Sequence, residues 1–81
     1  MRVTHEVKQV LAELSSADKS AKRLTLTSWN GSPEKLDIRI WRDVDGEERP
    51  SKGVTLTDEE AVTLYLALTQ YLGDLIDNDE E

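Results

Sequence analysis

The chain of 81 residues contains no cysteine. That absence removes disulfides, thiolate catalysis and cysteine-ligated zinc or iron–sulfur sites together. Histidine is nearly as scarce, with His5 alone, so a nucleophile–histidine pair would have to rest on that one residue near the N-terminus. No stretch approaches the roughly 18 consecutive apolar residues that a membrane span needs, and Met1-Arg2-Val3-Thr4-His5-Glu6 leads into no apolar run of signal-peptide length. A glycine-rich phosphate loop is missing too. The segment Asp43-Val44-Asp45-Gly46 opens like a calcium loop, but its glycine comes too early and no glutamate stands where such a loop closes. It reads as a hairpin turn. These absences point to a soluble, cytoplasmic, non-enzymatic protein with no membrane partner, no metal site and no cofactor.

One region also lacks positive charge. The composition of 17 acidic and 10 basic residues gives a net charge of −7, which taken whole argues against nucleic acid, since Lys and Arg supply most of the affinity for phosphates. The excess is not evenly spread. Residues 57–81 hold eight acidic residues and no basic one, residues 22–56 hold seven basic and six acidic, and residues 1–21 hold three of each. The middle of the chain is therefore free to present a basic surface.

Hydrophobic spacing divides the chain into elements. Val3, Val7, Val10, Leu11 and Leu14 recur at helical spacing, although the Val, Thr and Leu content of this stretch also suits a strand. Residues 15–20 are small and polar and read as a loop. In 22–29, Leu24 and Leu26 alternate with Thr25, Thr27 and Trp29, the period of a strand. Asn30-Gly31-Ser32-Pro33 supplies a turn. In 36–42, Leu36, Ile38 and Ile40 share one face, and Asp37, Arg39 and Trp41 the other. Residues 43–50 form a loop or the tip of a long hairpin, with Pro50 excluding a central strand. A short strand over 52–56 follows. Thr57-Asp58-Glu59-Glu60 has the pattern of a capping box, opening a helix over 58–72 that Gly73 stops. This helix is apolar on more than one side and needs a partner besides its own sheet, which points to a homodimer. Residues 1–73 make one domain, and 74–81 an acidic tail that competes for any basic face.

With the Leu and Ile faces of the two clear strands on a core, the opposite face displays Trp29, Arg39 and Trp41. Indoles beside guanidinium and ammonium groups suit single-stranded nucleic acid, because bases stack on aromatic rings while cations follow the phosphates. Packing of either tryptophan over a second layer is the competing interpretation. Arg39 between them favours a surface role, and Asp37 is the residue placed to hold it.

The stretch Trp29-Asn-Gly-Ser-Pro-Glu-Lys-Leu-Asp-Ile-Arg-Ile-Trp41, then Asp45-Gly46, then Pro50-Ser-Lys-Gly-Val-Thr-Leu-Thr-Asp-Glu-Glu60 resembles the C-terminal domain of the positive-cofactor-four type transcriptional coactivators, especially their small bacterial relatives. The resemblance implies an α+β fold: a curved four-stranded antiparallel sheet followed by one helix, dimerising through the helices. It makes residues 3–14 the first strand, against the periodicity. It also implies a groove for single-stranded DNA with little sequence preference, protein partners in transcription, and a role in transcription or DNA maintenance. Carried over by position, the site residues are Trp29, Arg39, Trp41 and Lys52, with Lys35, Asn30 and Lys22 near by. Thr27 and Ser51 stand where eukaryotic relatives carry basic residues, which implies fewer phosphate contacts and salt-sensitive binding. Two alternatives use the same scaffold: a single-stranded RNA binder, and a protein-interaction module.

Overall fold

The computed structural model describes residues 4–79, with side chains for residues 4–73. Four strands precede one helix: β1 (His5–Ala17), β2 (Ser20–Trp29), β3 (Lys35–Val44), β4 (Glu47–Leu56) and α1 (Asp58–Asp79). The strands form one antiparallel sheet in the order β1-β2-β3-β4, so each strand pairs with its sequence neighbour. Residue 3, where the first strand was expected to begin, lies outside the described residues, as do residues 80 and 81 of the acidic tail.

β1 is a strand, as the family resemblance implied and the periodicity did not, and its pairing explains the helical spacing. Its register against β2 shifts between Val7 and Gln9, between Val10 and Ala12 and between Glu13 and Ser15. Each shift inserts one extra residue, Lys8, Leu11 and Leu14 in turn. The partners of Trp29, Thr27, Thr25, Arg23 and Ala21 are consequently His5, Val7, Val10, Glu13 and Ser16. A bulge in every third residue thus converts the strand period of two into three. β1 also continues through residues 15–17, which had read as loop.

The turns follow their residues. Asp45 and Gly46 have φ of 56° and 82° and join Val44 to its cross-strand partner Glu47, a two-residue hairpin whose twist needs positive φ at both positions. β4 accordingly starts at Glu47, with Pro50 tolerated because the strand lies at the sheet edge. At Asn30-Gly31, φ is 53° and 77°. The capping box forms as its sequence requires: the Thr57 N–H donates to Glu60 Oε1 at 2.9 Å, and the Glu60 N–H to Thr57 Oγ1 at 3.1 Å. Such a cap contributes about 1 kcal/mol.

Two expectations are corrected. Gly73 does not end the helix, which runs on to Asp79. Stopping there would require the left-handed conformation, and Gly73 is absent from the positive-φ glycines. The core also sits on the other side of the sheet from the one expected. Thr25, Thr27 and Asp37 are essentially fully buried and Trp41 is 4% exposed, whereas Leu24, Leu26, Leu36, Ile38 and Ile40 are only half-buried. Side chains from strands two apart meet over the Thr/Asp/Trp face, so the bulged sheet curls toward it. The Leu/Ile face and α1 are left sparsely covered: among the described residues α1 touches only β3 and β4, and Val54, Val62, Leu66 and Tyr65 are exposed. Among the described residues no helix is long and apolar enough to cross a membrane.

Candidate nucleic-acid interface

The site is built on the paired strands β2 and β3, whose undistorted register sets Thr25 opposite Asp37 and Thr27 opposite Lys35. Directly opposed residues share a face, which collects Arg23, Thr25, Thr27, Trp29, Lys35, Asp37, Arg39 and Trp41 on the curled side. Asp37 lies at the bottom. With no exposure of its own, its carboxylate accepts from Arg39 Nε at 3.0 Å and from Arg39 Nη2 at 2.9 Å. Arg39 Nη1 donates to the Ser51 carbonyl at 2.8 Å, so the guanidinium is fixed from two strands. Beside it the Thr25 and Thr27 hydroxyls share a hydrogen bond of 2.7 Å, which satisfies two polar groups that burial would otherwise penalise.

The fixed guanidinium has one aromatic neighbour. Arg39 Cζ stands 4.7 Å from the centroid of a Trp29 ring, within cation–π range. Trp29 is half-buried, and together with Lys35, Arg39, Ser32, Pro33 and Thr55 it lines a cavity of about 240 Å³. Gly53 makes this packing possible, since a Cβ there would stand 2.6 Å from Arg39 Cβ and from the Ile38 carbonyl oxygen. Only glycine lets β4 pass so close to Arg39.

Trp41 occupies a different environment. The His5 ring lies between the two indoles, 5.5 Å from Trp29 and 5.4 Å from Trp41 by centroid, in tilted geometry. Over the same face, Arg23 donates Nη1 and Nη2 to the two carboxylate oxygens of Glu48 at 2.9 and 2.8 Å, and Nε to Glu13 at 3.4 Å. Arg23 is on β2 and Glu48 on β4, so this pair crosses β3. The hydrogen bond to Glu48 holds the Arg23 guanidinium above its ordinary pKa, against some desolvation. The hydrogen bond from Arg23 conversely holds the Glu48 carboxyl below its ordinary value. The Nε1 groups of Trp29 and Trp41 are both buried without a hydrogen-bond partner among the described residues.

The structure therefore brings Trp29, Lys35 and Arg39 together and links Trp41 to them through His5, but it buries Trp41 where an exposed platform was expected. The reason is β1, whose bulges curl the sheet so that His5 reaches over the face. Asn30 serves the fold: its side-chain Oδ1 accepts from the Thr4 N–H at 2.9 Å, and its own N–H donates to the Thr4 carbonyl at 2.9 Å. Lys22 and Lys52 line another cavity, with Ile38, Arg39, Ile40 and Gly53. Lys22 is the cross-strand partner of Ile40, which puts it on the Leu/Ile side. Among the described residues Lys22, Lys35 and Lys52 enter no ion pair. Sequence reasoning missed Glu13 and Glu48, weighed His5 only for catalysis, and had Arg23 no closer than a neighbour of the site on the same strand face. Their positions depend on the bulges of β1 and on reach across non-neighbouring strands, neither of which alternation records.

Comparison with known proteins gives two findings. The family model described as Transcriptional Coactivator p15 (PC4) matches residues 16–66. An uncharacterized protein of Treponema pallidum (strain Nichols) is 54% identical over 37 residues, covering 46% of this chain and 41% of that protein. The chain thus matches less than half of that relative's length.

Proposed function

Because the chain belongs to the Transcriptional Coactivator p15 (PC4) family, we propose that it is a dimeric, non-enzymatic protein that binds single-stranded DNA with little sequence preference and serves transcription or DNA maintenance. The observation that carries this reading is the unit formed by Asp37, Arg39 and Trp29: a guanidinium fixed by a buried carboxylate and stacked on a half-exposed indole. Such a unit offers a base a π-surface and a strand a cation at one place, and it costs no ordering when the ligand arrives. Lys35, which lines the same cavity, is placed for the next phosphate. Lys22 and Lys52 stand together on the Leu/Ile side of the sheet, away from Trp29 and Lys35.

Trp29→Ala is expected to weaken binding of an oligo-dT strand by about 1–3 kcal/mol, the usual worth of one base stack. Lys35→Gln should flatten the dependence of log affinity on log salt by about 0.7, one phosphate's share. Fluorescence anisotropy of a labelled strand over a salt series measures both. If neither substitution alters binding, the site lies elsewhere.

The dimer rests on uncovered apolar surface. The half-buried Leu/Ile face and the exposed Val62, Tyr65, Leu66 and Leu68 of α1 leave apolar side chains in water, and a second copy would present the matching surface by symmetry. Sedimentation should return twice the chain mass of 9.2 kDa. Leu66→Glu, which puts a charge into that contact, should return the monomer mass.

A further inference from the structure

The curled face carries a contact that the proposed function does not use. The Arg23–Glu48 pair spans β3, and it shares the lining of two cavities with the most buried aromatic residue, Trp41. On one side of it lies a cavity of about 250 Å³ against Asp18, Lys19 and Ala21. On the other lies one of about 290 Å³ against His5, Val7 and Thr25. Arg23, Trp41 and Glu48 line both. The pair is therefore a strap that divides one trough in two, with Trp41 as the shared floor.

We propose that this strap closes a further nucleotide subsite, and that a bound single strand opens it by drawing the Arg23 guanidinium from Glu48 onto a backbone phosphate. This inference rests on the single-strand reading above. Its chemistry is an exchange of like partners, because a guanidinium fork fits a phosphate as it fits a carboxylate. Opening the strap joins the two cavities and uncovers Trp41 as a surface on which a base can stack. Glu13, 3.4 Å from Arg23 Nε, steadies the arginine in either position. Glu48 is then an internal competitor for the strand.

The charged and titratable groups around the trough are His5 and Glu13 from β1, Arg23 from β2, Asp43 from β3, Glu48 from β4, and Asp18 and Lys19 in the turn between β1 and β2. Arg23 holds the Glu48 carboxyl below its usual range. The strap is thus intact at neutral pH and releases as pH falls through that lowered value.

The test compares binding of an oligo-dT strand to the full chain and to Glu48→Gln, Glu47→Gln, Arg23→Gln and the Arg23→Gln/Glu48→Gln double variant. Freeing Arg23 for one more phosphate should raise the affinity of Glu48→Gln roughly 5- to 10-fold at about 50 mM salt and steepen the salt slope by about 0.7. Glu47→Gln removes the same charge from the neighbouring position, where Glu47 pairs with Arg49 at 3.6 Å, and should give less than half that gain. The gain should vanish in the double variant. Equal gains from Glu47→Gln and Glu48→Gln, or a gain that survives loss of Arg23, would overturn the strap and leave the single-strand reading standing. A second readout needs no nucleic acid. In a Trp29→Phe background, acrylamide should quench Trp41 more readily when Glu48→Gln is added, and unchanged quenching also overturns the proposal. Should no variant bind the strand, the single-strand reading fails and this proposal fails with it.

Discussion

Replacing Asp37 with alanine is expected to cost about 3–5 kcal/mol of stability, the loss typical of breaking a buried ion pair from one side. The carboxylate has no exposure and accepts two short hydrogen bonds from Arg39. Without it, a guanidinium that is 17% exposed retains only the Ser51 carbonyl. A domain of this size has a total stability on the order of 5–15 kcal/mol, so the variant should be largely unfolded at physiological temperature. Arg39→Ala should do comparable damage by leaving a fully buried carboxylate without that partner. Replacing both residues by apolar side chains of similar size should recover most of the loss. Urea unfolding followed by far-ultraviolet circular dichroism measures all three at one protein concentration. A loss under about 1 kcal/mol for Asp37→Ala would mean that the pair is not what holds Arg39 against Trp29.

The second large effect separates the two tryptophans. Trp41→Ala is expected to destabilise the fold by about 3–5 kcal/mol, since removing a buried indole both forfeits its transfer energy and leaves a cavity. On an exposed platform, where alternation in the sequence puts Trp41, the same substitution would weaken binding with the domain intact. The burial of Trp41, with the His5 ring against it, moves the effect to stability. Trp29, half-buried at the end of β2, should cost clearly less to truncate and should show its loss in binding. Thermal unfolding of the two variants side by side tests this ordering. Equal stability losses at both positions would contradict the assignment of Trp41 to the buried layer and Trp29 to the surface.

The contrast shows where the sequence was readable. β2 and β3 are regular, so alternation placed Trp29, Asp37, Arg39 and Trp41 on one face correctly and put Arg39 in Asp37's reach. The Thr57–Glu60 box and the Asp45-Gly46 turn were equally plain, because each is a local bargain between adjacent residues. What alternation does not carry is curvature. Three bulges in β1 disguised a strand as a helix, and the curl they impose buried the face with the polar residues while leaving the Leu/Ile face open. It also brought His5, Arg23 and Glu48 around one cavity with Trp41 from three strands. Gly73 misled for a different reason. A glycine marks a helix end only where the chain needs a left-handed residue, and in a helix interior it merely costs about 1 kcal/mol relative to alanine.

The charge partition still bears on function. Arg23 and Arg39 on the curled face are matched by Glu13, Glu48 and Asp37, which leaves Lys35 as the cation of that face outside any ion pair among the described residues. On the proposed function, a face so balanced should bind through stacking and a few phosphate contacts, with an affinity that falls as salt rises. The most direct measurement is a titration of the intrinsic tryptophan fluorescence of the full chain with oligo-dT, with matched duplex and with oligo-rU, repeated over a salt series. The account predicts saturable quenching by the DNA single strand at low salt, weaker quenching by duplex, and a log–log salt slope near −2 to −3 for about three or four phosphates. Preferential response to the RNA strand would shift the ligand to RNA on the same face, and no quenching by any single strand at low salt would contradict the account.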